Sequence, residues 1–248
     1  MANSIIDKSS IDDPVGLHTL EVIAKANRFN QWMYEQFKNE LKGEVLEIGS
    51  GIGNVSKLVI ADGHYITLSD YNVSYCEILK KNFSSNEKVR DIIQIDLLDP
   101  EFEIKYAPHK EKFESIFLLN VIEHISDDRL SIKNCRYLLK ENGHLIVLAP
   151  AYSWLYCNLD KQLGHHRRYT TKSMELILKE NDLEILKSNY FNFTGITGWL
   201  LFGKIFRSKM LGNGEMSAFN SIVPLARLID KIFVNRIGLS IIVTAIKK

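Results

Sequence analysis

Short apolar runs alternate along this chain with stretches whose apolar positions recur every three or four residues. Val45, Leu46 and Ile48 form the first run. Tyr65–Ser69 (YITLS), Ile92–Ile95, Ser115–Leu119 (SIFLL) and His144–Ala149 (HLIVLA) repeat it. Between them Asn54–Ile60, Val73–Phe83 and Asp128–Leu139 carry helical spacing, the last ended by Asn142-Gly143. Further on, Ser173–Asn181 predicts a helix, Glu184–Tyr190 a strand and Ser240–Ile246 a last strand. Ahead of the first strand, apolar positions from Leu17 to Phe37 predict one long or broken helix behind a loose arm closed by Asp13-Pro14. Strands alternating with helices at this pitch predict a parallel sheet covered on both faces.

Two regions exceed a minimal doubly wound domain. One is the loop from Pro150 to Thr170. The other, Phe191 to Leu239, carries helix-like apolar pieces around Trp199–Phe206 and Leu225–Val234, with glycines that suggest turns between them.

Composition narrows the class only a little. A chain of 248 residues, 46% hydrophobic and 25% charged, suits one α/β domain with elaborations or two small ones. A net charge of +1 offers nothing for general nucleic-acid binding. Cys76, Cys135 and Cys157 have neither metal-ligand nor pairing spacing, which suits idle thiols in a reducing compartment. The polar start MANSIIDKSSIDD lacks a signal-peptide pattern, and no run reaches the roughly 20 apolar residues of a membrane span. The expectation is a cytoplasmic protein.

The chemistry concentrates in Glu44–Ser56, EVLEIGSGIGNVS. A strand, a glycine turn at Gly49, Gly51 and Gly53, and a helix let a ligand lie against bare backbone above a sheet edge. A dinucleotide enzyme calls for G-x-G-x-x-G to cradle a pyrophosphate; this chain has G-x-G-x-G, with Glu47 two residues before the first glycine. Asp70 ends the second strand, where a carboxylate can hold both ribose hydroxyls of a nucleoside or cap the following helix. Asp96 and Asn120 follow the third and fourth strands. Glu123-His124 alone supplies too few ligands for a metal, and no third His or Cys is spaced to join it, so no metal is expected. Beyond the fifth strand lies Asp160-x-x-x-Gly164-His165-His166-Arg167-Arg168-Tyr169. Its guanidiniums can grip an anion and its imidazoles can take a proton near neutral pH; the alternative is a basic solvated turn.

In order, EIGSGIG, LSDYN, IDLLD, FESIFLLNVIEHI and NGHLIVLAP resemble the motifs of class I S-adenosylmethionine (SAM) methyltransferases over roughly residues 40 to 150. The G-H-x-R-R-Y element resembles one in a bacterial branch of that superfamily. The resemblance implies a doubly wound α/β fold with a seven-stranded, mostly parallel sheet whose last strand is antiparallel. Helices would cover both faces of a single domain. Residues 1–40 would be a helical cover, 41–150 the SAM-binding core, 151–172 an acceptor loop and 191–239 an insertion or lid. It implies SAM as cofactor, held by Glu47, Gly49, Ser50, Gly51, Gly53, Asn54, Asp70, Tyr71, Asp96, Leu97, Asn120 and Val121. Asp70 would take the ribose, Asp96 the adenine and Asn120 the methionine end.

The implied reaction is methyl transfer to a small molecule, preferably at an oxygen on or near an anionic group. Toward an alcohol, His165 or His166 would act as base; an already ionised carboxylate or phosphate oxygen would need none and would be oriented by Arg167 and Arg168, with Tyr169 beside them. Arg28, Phe29, Asn30, Trp32 and Tyr34 are candidates to close over the cofactor. Lys204, Arg207 and Lys209 beside Trp199, Leu200, Leu201, Phe202 and Phe206 suit an interfacial helix, so a lipid-linked sugar or polyprenyl acceptor is an alternative. A non-catalytic SAM-binding protein and a nicotinamide dehydrogenase are the others.

Overall fold

The structure, a computed structural model, describes residues 13–205, 212–232 and 236–248. The expected arm before Asp13 and Phe206, Arg207 and Lys209 of the expected interfacial helix lie outside the described residues. In chain order the elements begin with α1 (Pro14–Ala24), α2 (Asn27–Glu35), β1 (Glu44–Ile48), α3 (Ser56–Ala61), β2 (Tyr65–Asp70) and α4 (Val73–Phe83). They continue with β3 (Val89–Gln94), α5 (Phe102–Lys105), β4 (Phe113–Leu119), α6 (Asp128–Leu138), β5 (Leu139–Pro150) and α7 (Asn158–Gln162). Last come α8 (Thr171–Glu180), β6 (Leu183–Phe191), α9 (Phe193–Trp199), α10 (Asn213–Ile232) and β7 (Ser240–Lys247).

The seven strands form one sheet in the order β3-β2-β1-β4-β5-β7-β6. The pairs β1–β2, β1–β4, β2–β3 and β4–β5 are parallel, while β7 runs antiparallel to β5 and β6 between them. The strand order reverses beside β1, between β1 and β4, where open α/β sheets present a crevice at their carboxyl ends. Period-two alternation distributes the core. Leu46, Ile48, Ile116, Leu118, Leu145, Val147 and Val243 face one cluster with residues of α6 and α8. Val45, Phe117, Ile146, Leu148 and Ile242 face the other, with Trp32, Met33, Val59, Val223 and Ala226 from α2, α3 and α10.

Of the long or broken N-terminal helix the structure has the broken form: α1 ends at Ala24 and α2 restarts at Asn27. Two expectations change in detail. The helix before β5 stops at Leu138, and Asn142 (φ +61°) with Gly143 sits inside the strand, where the β4–β5 register jumps between Phe113↔Leu139 and Ser115↔His144. A left-handed residue absorbs the extra chain as a bulge. The insertion builds a longer second helix than expected, and α10 packs Met216 and Phe219 on Val22, Ala26 and Phe29, so cover and insertion form one helical layer.

Candidate functional site

The glycine turn after β1 has the geometry its sequence requires. Gly49, Gly51 and Gly53 all take left-handed φ, +74°, +55° and +86°, where a Cβ is strained. A Cβ at Gly49 would stand 2.3 Å from Cγ2 of Val121, so β4's end presses directly on the turn. The turn is also laced to β2: Ser50 N–H donates to the Ser69 carbonyl (2.8 Å) and Gly51 N–H to Oδ2 of Asp70 (2.9 Å). Asn54 donates to the Leu20 carbonyl, which brings α1 over the turn.

Asp70 is buried, and its Oδ1 also accepts from Asn72 N–H at 2.9 Å. Asn72, not Asp70, caps α4, so the capping alternative for Asp70 falls away. Burial raises its carboxyl above the usual range; the Asn72 and Gly51 N–H groups oppose that and Asp13 adds to it. Each carboxylate oxygen keeps a second lone pair for a ligand hydroxyl. Half-buried Asp96 turns Oδ1 to Leu98 N–H. Asn120 closes β4 in the left-handed region (φ +53°), a conformation that clusters at functional sites. Tyr71 is exposed beside them. The Leu97 side chain is buried in the core below the edge, and its carbonyl accepts from Asn134.

Glu47 lies beneath the turn rather than in it. Its carboxylate accepts from the Ser56 hydroxyl, and burial pushes it up to about 8 against the hydroxyls of Ser56 and Ser50. From the ordinary carboxylate range to about 8, the folded chain holds a proton that the unfolded chain has released. Stability from this group is therefore lost as pH rises through that window, by up to about 1.4 kcal/mol per pH unit. Relative to the wild type, Glu47→Gln should gain urea stability progressively from about pH 5 to about pH 8; a stability difference that does not change with pH would mean that Glu47 is ionised in the fold.

The loop after β5 leaves and returns beside the same strand end: Tyr152 N–H donates to the Tyr169 carbonyl and Tyr169 N–H to that of Pro150. Inside it Asp160 is fully buried. It accepts from Cys157 N–H (2.9 Å), Nδ1 of His165 (2.8 Å) and Nε of Arg168 (2.8 Å). Burial alone would raise this carboxyl; His165 and Arg168 outweigh it and hold it below its usual range. Arg168 also donates to the Ala151 carbonyl and lies over the Trp199 ring. Arg167 donates to Asp128 (2.8 Å) and to the Ser126 carbonyl, and the buried Tyr169 hydroxyl donates to Asp128 at 3.0 Å. The expected anion grip is thereby corrected: Arg168 and Tyr169 are enclosed and Arg167 is engaged, so all three brace the loop. His166 is exposed and bonded through its N–H to the Glu123 carbonyl.

That bond exposes what spacing hides. The loop carries His165 to Glu123-His124, 41 positions earlier, until one ligand atom from each lies within 4.8 Å of the others. The expectation that no third ligand joins the pair is corrected. The His124 and His165 rings meet edge-on, centroids 4.7 Å apart. Protein around His124, with His165 and His166 beside it, pushes its imidazole down to about 4, so it is neutral. Burial pushes Glu123 up to about 8.

The expected cofactor-closing residues of α2 lie elsewhere. Phe29 stacks on Phe191 and Trp32 meets it edge-on, Tyr34 donates to Asp62, Asn30 to the Ile23 carbonyl, and Arg28 lies at Asn220 and Ser221. Leu17 and Leu20 of α1 pack with Ile52, Tyr75 and Ile78 instead, and Asp13 accepts from the Tyr75 hydroxyl. The apolar spacing of α1 was visible in sequence, but not which of the two helices would reach the turn.

Comparison with known proteins agrees with this geometry. Residues 22–188 match the family described as methyltransferase domain. Ubiquinone biosynthesis O-methyltransferase of Histophilus somni is 30% identical over 115 residues, 46% of this chain and 48% of that protein. The chain thus spans about half the length of the curated relatives it matches. A SAM-dependent methyltransferase of Archaeoglobus fulgidus superposes with a TM-score of 0.60 at 14% identity, covering 89% of this chain and 94% of that one. Phosphoethanolamine N-methyltransferase 2 of Haemonchus contortus, in complex with SAM, gives 0.61 at 14% identity over 100% and 61% of the two chains. With two thirds of its residues inside the family match and the glycine turn, Asp70 and Asn120 on one sheet edge, this chain belongs to the methyltransferase domain family.

Proposed function

We propose that this protein transfers a methyl group from SAM to a hydroxyl oxygen of a small molecule. The observation that carries the reading is the juxtaposition, at one sheet edge, of a glycine turn tied to Asp70 and a braced pair of imidazoles, His124 and His165. Val121, which presses on Gly49, is only two residues from Glu123. The O-methyltransferase names of the relatives support the choice of oxygen.

The residues present fit the donor: bare backbone at the glycines, a buried carboxylate with free lone pairs, and a neutral amide where a sulfonium must not meet a nucleophile. Bound SAM supplies a methyl that is already an activated electrophile, which leaves the chain to position, dehydrate and deprotonate. Asp70 accepts from the ribose hydroxyls, and Asp96 stands at the adenine end. α1, with Leu20 against Gly51, excludes water from the turn. His165 donates from Nδ1 to Asp160, which fixes its tautomer and leaves Nε2 to accept a hydroxyl proton. Because Arg167 and Arg168 are spent on Asp128 and Asp160, an anionic group on the acceptor loses its motivation.

In turnover with methyl-labelled SAM and a panel of hydroxylated acceptors, His165→Asn should lower kcat about 100-fold or more while S-adenosylhomocysteine affinity holds. Unchanged kcat would remove His165 from the reaction. A lipid-linked acceptor is the second reading. Ile222, Leu225, Leu228 and Ile232 form an exposed stripe on α10, beside an 880 Å³ groove edged by Arg28, Lys57, Arg227 and Lys231. Turnover confined to detergent-solubilised lipid acceptors would favour it.

A further inference from the structure

We propose that Glu123, His124 and His165 form a binding site for one divalent transition-metal ion of the zinc class. Glu123 carries the argument. It is completely buried, and neither carboxylate oxygen has a hydrogen-bond partner among the described residues. A buried carboxyl costs free energy unless something compensates it. Arg168, whose charge acts on this carboxyl, is committed to Asp160 and the Ala151 carbonyl. What stands within reach instead is imidazole nitrogen, from His124 and His165.

Two imidazoles and one carboxylate are a donor set for zinc-class ions, and three protein ligands leave coordination positions open. The surroundings are those of a metal ligand too. A metal-bound histidine commonly gives its other nitrogen to a carboxylate, which fixes the ring and raises its basicity. His165 does so: Nδ1 lies 2.8 Å from Oδ1 of Asp160, itself held by Arg168 and Cys157 N–H. The ligating nitrogen is then Nε2. His124 keeps an exposed edge, which gives an ion a way in, and packs below the Gly164 turn, whose left-handed φ of +76° steers the chain from α7 into His165. An ion here would deepen the reading above, on which its catalytic consequence rests. It would lower the pKa of an acceptor hydroxyl at an open position, in place of a free imidazole base.

The test is titration of the chelator-treated full chain with Co²⁺, followed by visible d–d absorption, with S-adenosylhomocysteine binding measured on the same samples. One equivalent of Co²⁺ should bind at micromolar affinity or better, with the intense bands of a low-coordinate N/O site, and Zn²⁺ should displace it. Glu123→Gln and His124→Ala should each weaken binding at least 10-fold, whereas His166→Ala should leave the spectrum unchanged. His124 is the less disruptive site to truncate, since its ring reaches solvent. Absorption no stronger than that of the free aquo ion would overturn the proposal. So would equal affinity in both ligand variants, the mark of adventitious binding by surface histidines. S-adenosylhomocysteine binding without a cobalt site would leave methyl transfer standing and remove the ion. A cobalt site without that binding would keep the ion and remove methyl transfer.

Discussion

Replacing Arg168 by alanine is expected to destabilise the fold by about 3–5 kcal/mol, a large share of the roughly 5–15 kcal/mol that holds a typical domain together. The Arg168 side chain is 1% exposed and that of Asp160 0%, so neither charge can turn to water when the other is removed. The pair is not isolated. Asp160 also orders His165 and the first turn of α7, while Arg168 reaches back to the Ala151 carbonyl where β5 ends. Truncating the guanidinium therefore leaves a buried carboxylate and an unpaired carbonyl, and removes the group lying over Trp199. Neutralising both partners, as in Asp160→Asn with Arg168→Met, should recover much of the loss, because the penalty is an uncompensated charge rather than a missing attraction. Urea unfolding of the three proteins measures this. A loss below about 1 kcal/mol for Arg168→Ala would mean that the guanidinium is solvated and free for an acceptor after all.

Asp70→Ala should weaken S-adenosylhomocysteine binding about 100-fold, close to 3 kcal/mol, while the protein remains folded. Two contributions combine. The ribose hydroxyls lose a buried acceptor, and Gly51 N–H loses the partner that sets the turn's shape. Asp70→Asn separates them: an amide oxygen can still accept from Gly51, so an intermediate loss identifies charge as the remaining share. The fold itself does not lean on this carboxyl, since burial already works against its ionised form. Calorimetric titration of wild type and both variants reads the effect. Wild-type affinity in Asp70→Ala would refute the ribose role.

The layered sheet was legible because every central strand is apolar on both faces and each intervening segment keeps helical spacing, local signals that need no knowledge of distant partners. Three left-handed glycines were legible for the same reason: G-x-G-x-G after a strand has few other uses. What sequence could not show was contact across long separations. Arg167 and Arg168 read as free cations until Asp128 and Asp160 are seen beneath them. Glu123-His124 reads as a ligand pair without a third member until the loop returns His165 to it. The N-terminal aromatics, candidates either to close over the cofactor or to pack in the core, find their partners Phe191 and Phe219 in and beyond β6, too far along the chain for local spacing to choose. Asn142-Gly143 misled for a local reason, as the same dipeptide ends a helix or bulges a strand, and β4's register decides which.

The central claim, a SAM site at the β1 turn, is tested most directly by calorimetric titration of the wild-type protein with S-adenosylhomocysteine, with NADH as control. The account predicts saturable binding of one equivalent at micromolar affinity or tighter, and no heat from NADH. Binding of NADH alone, or of neither ligand, would contradict it.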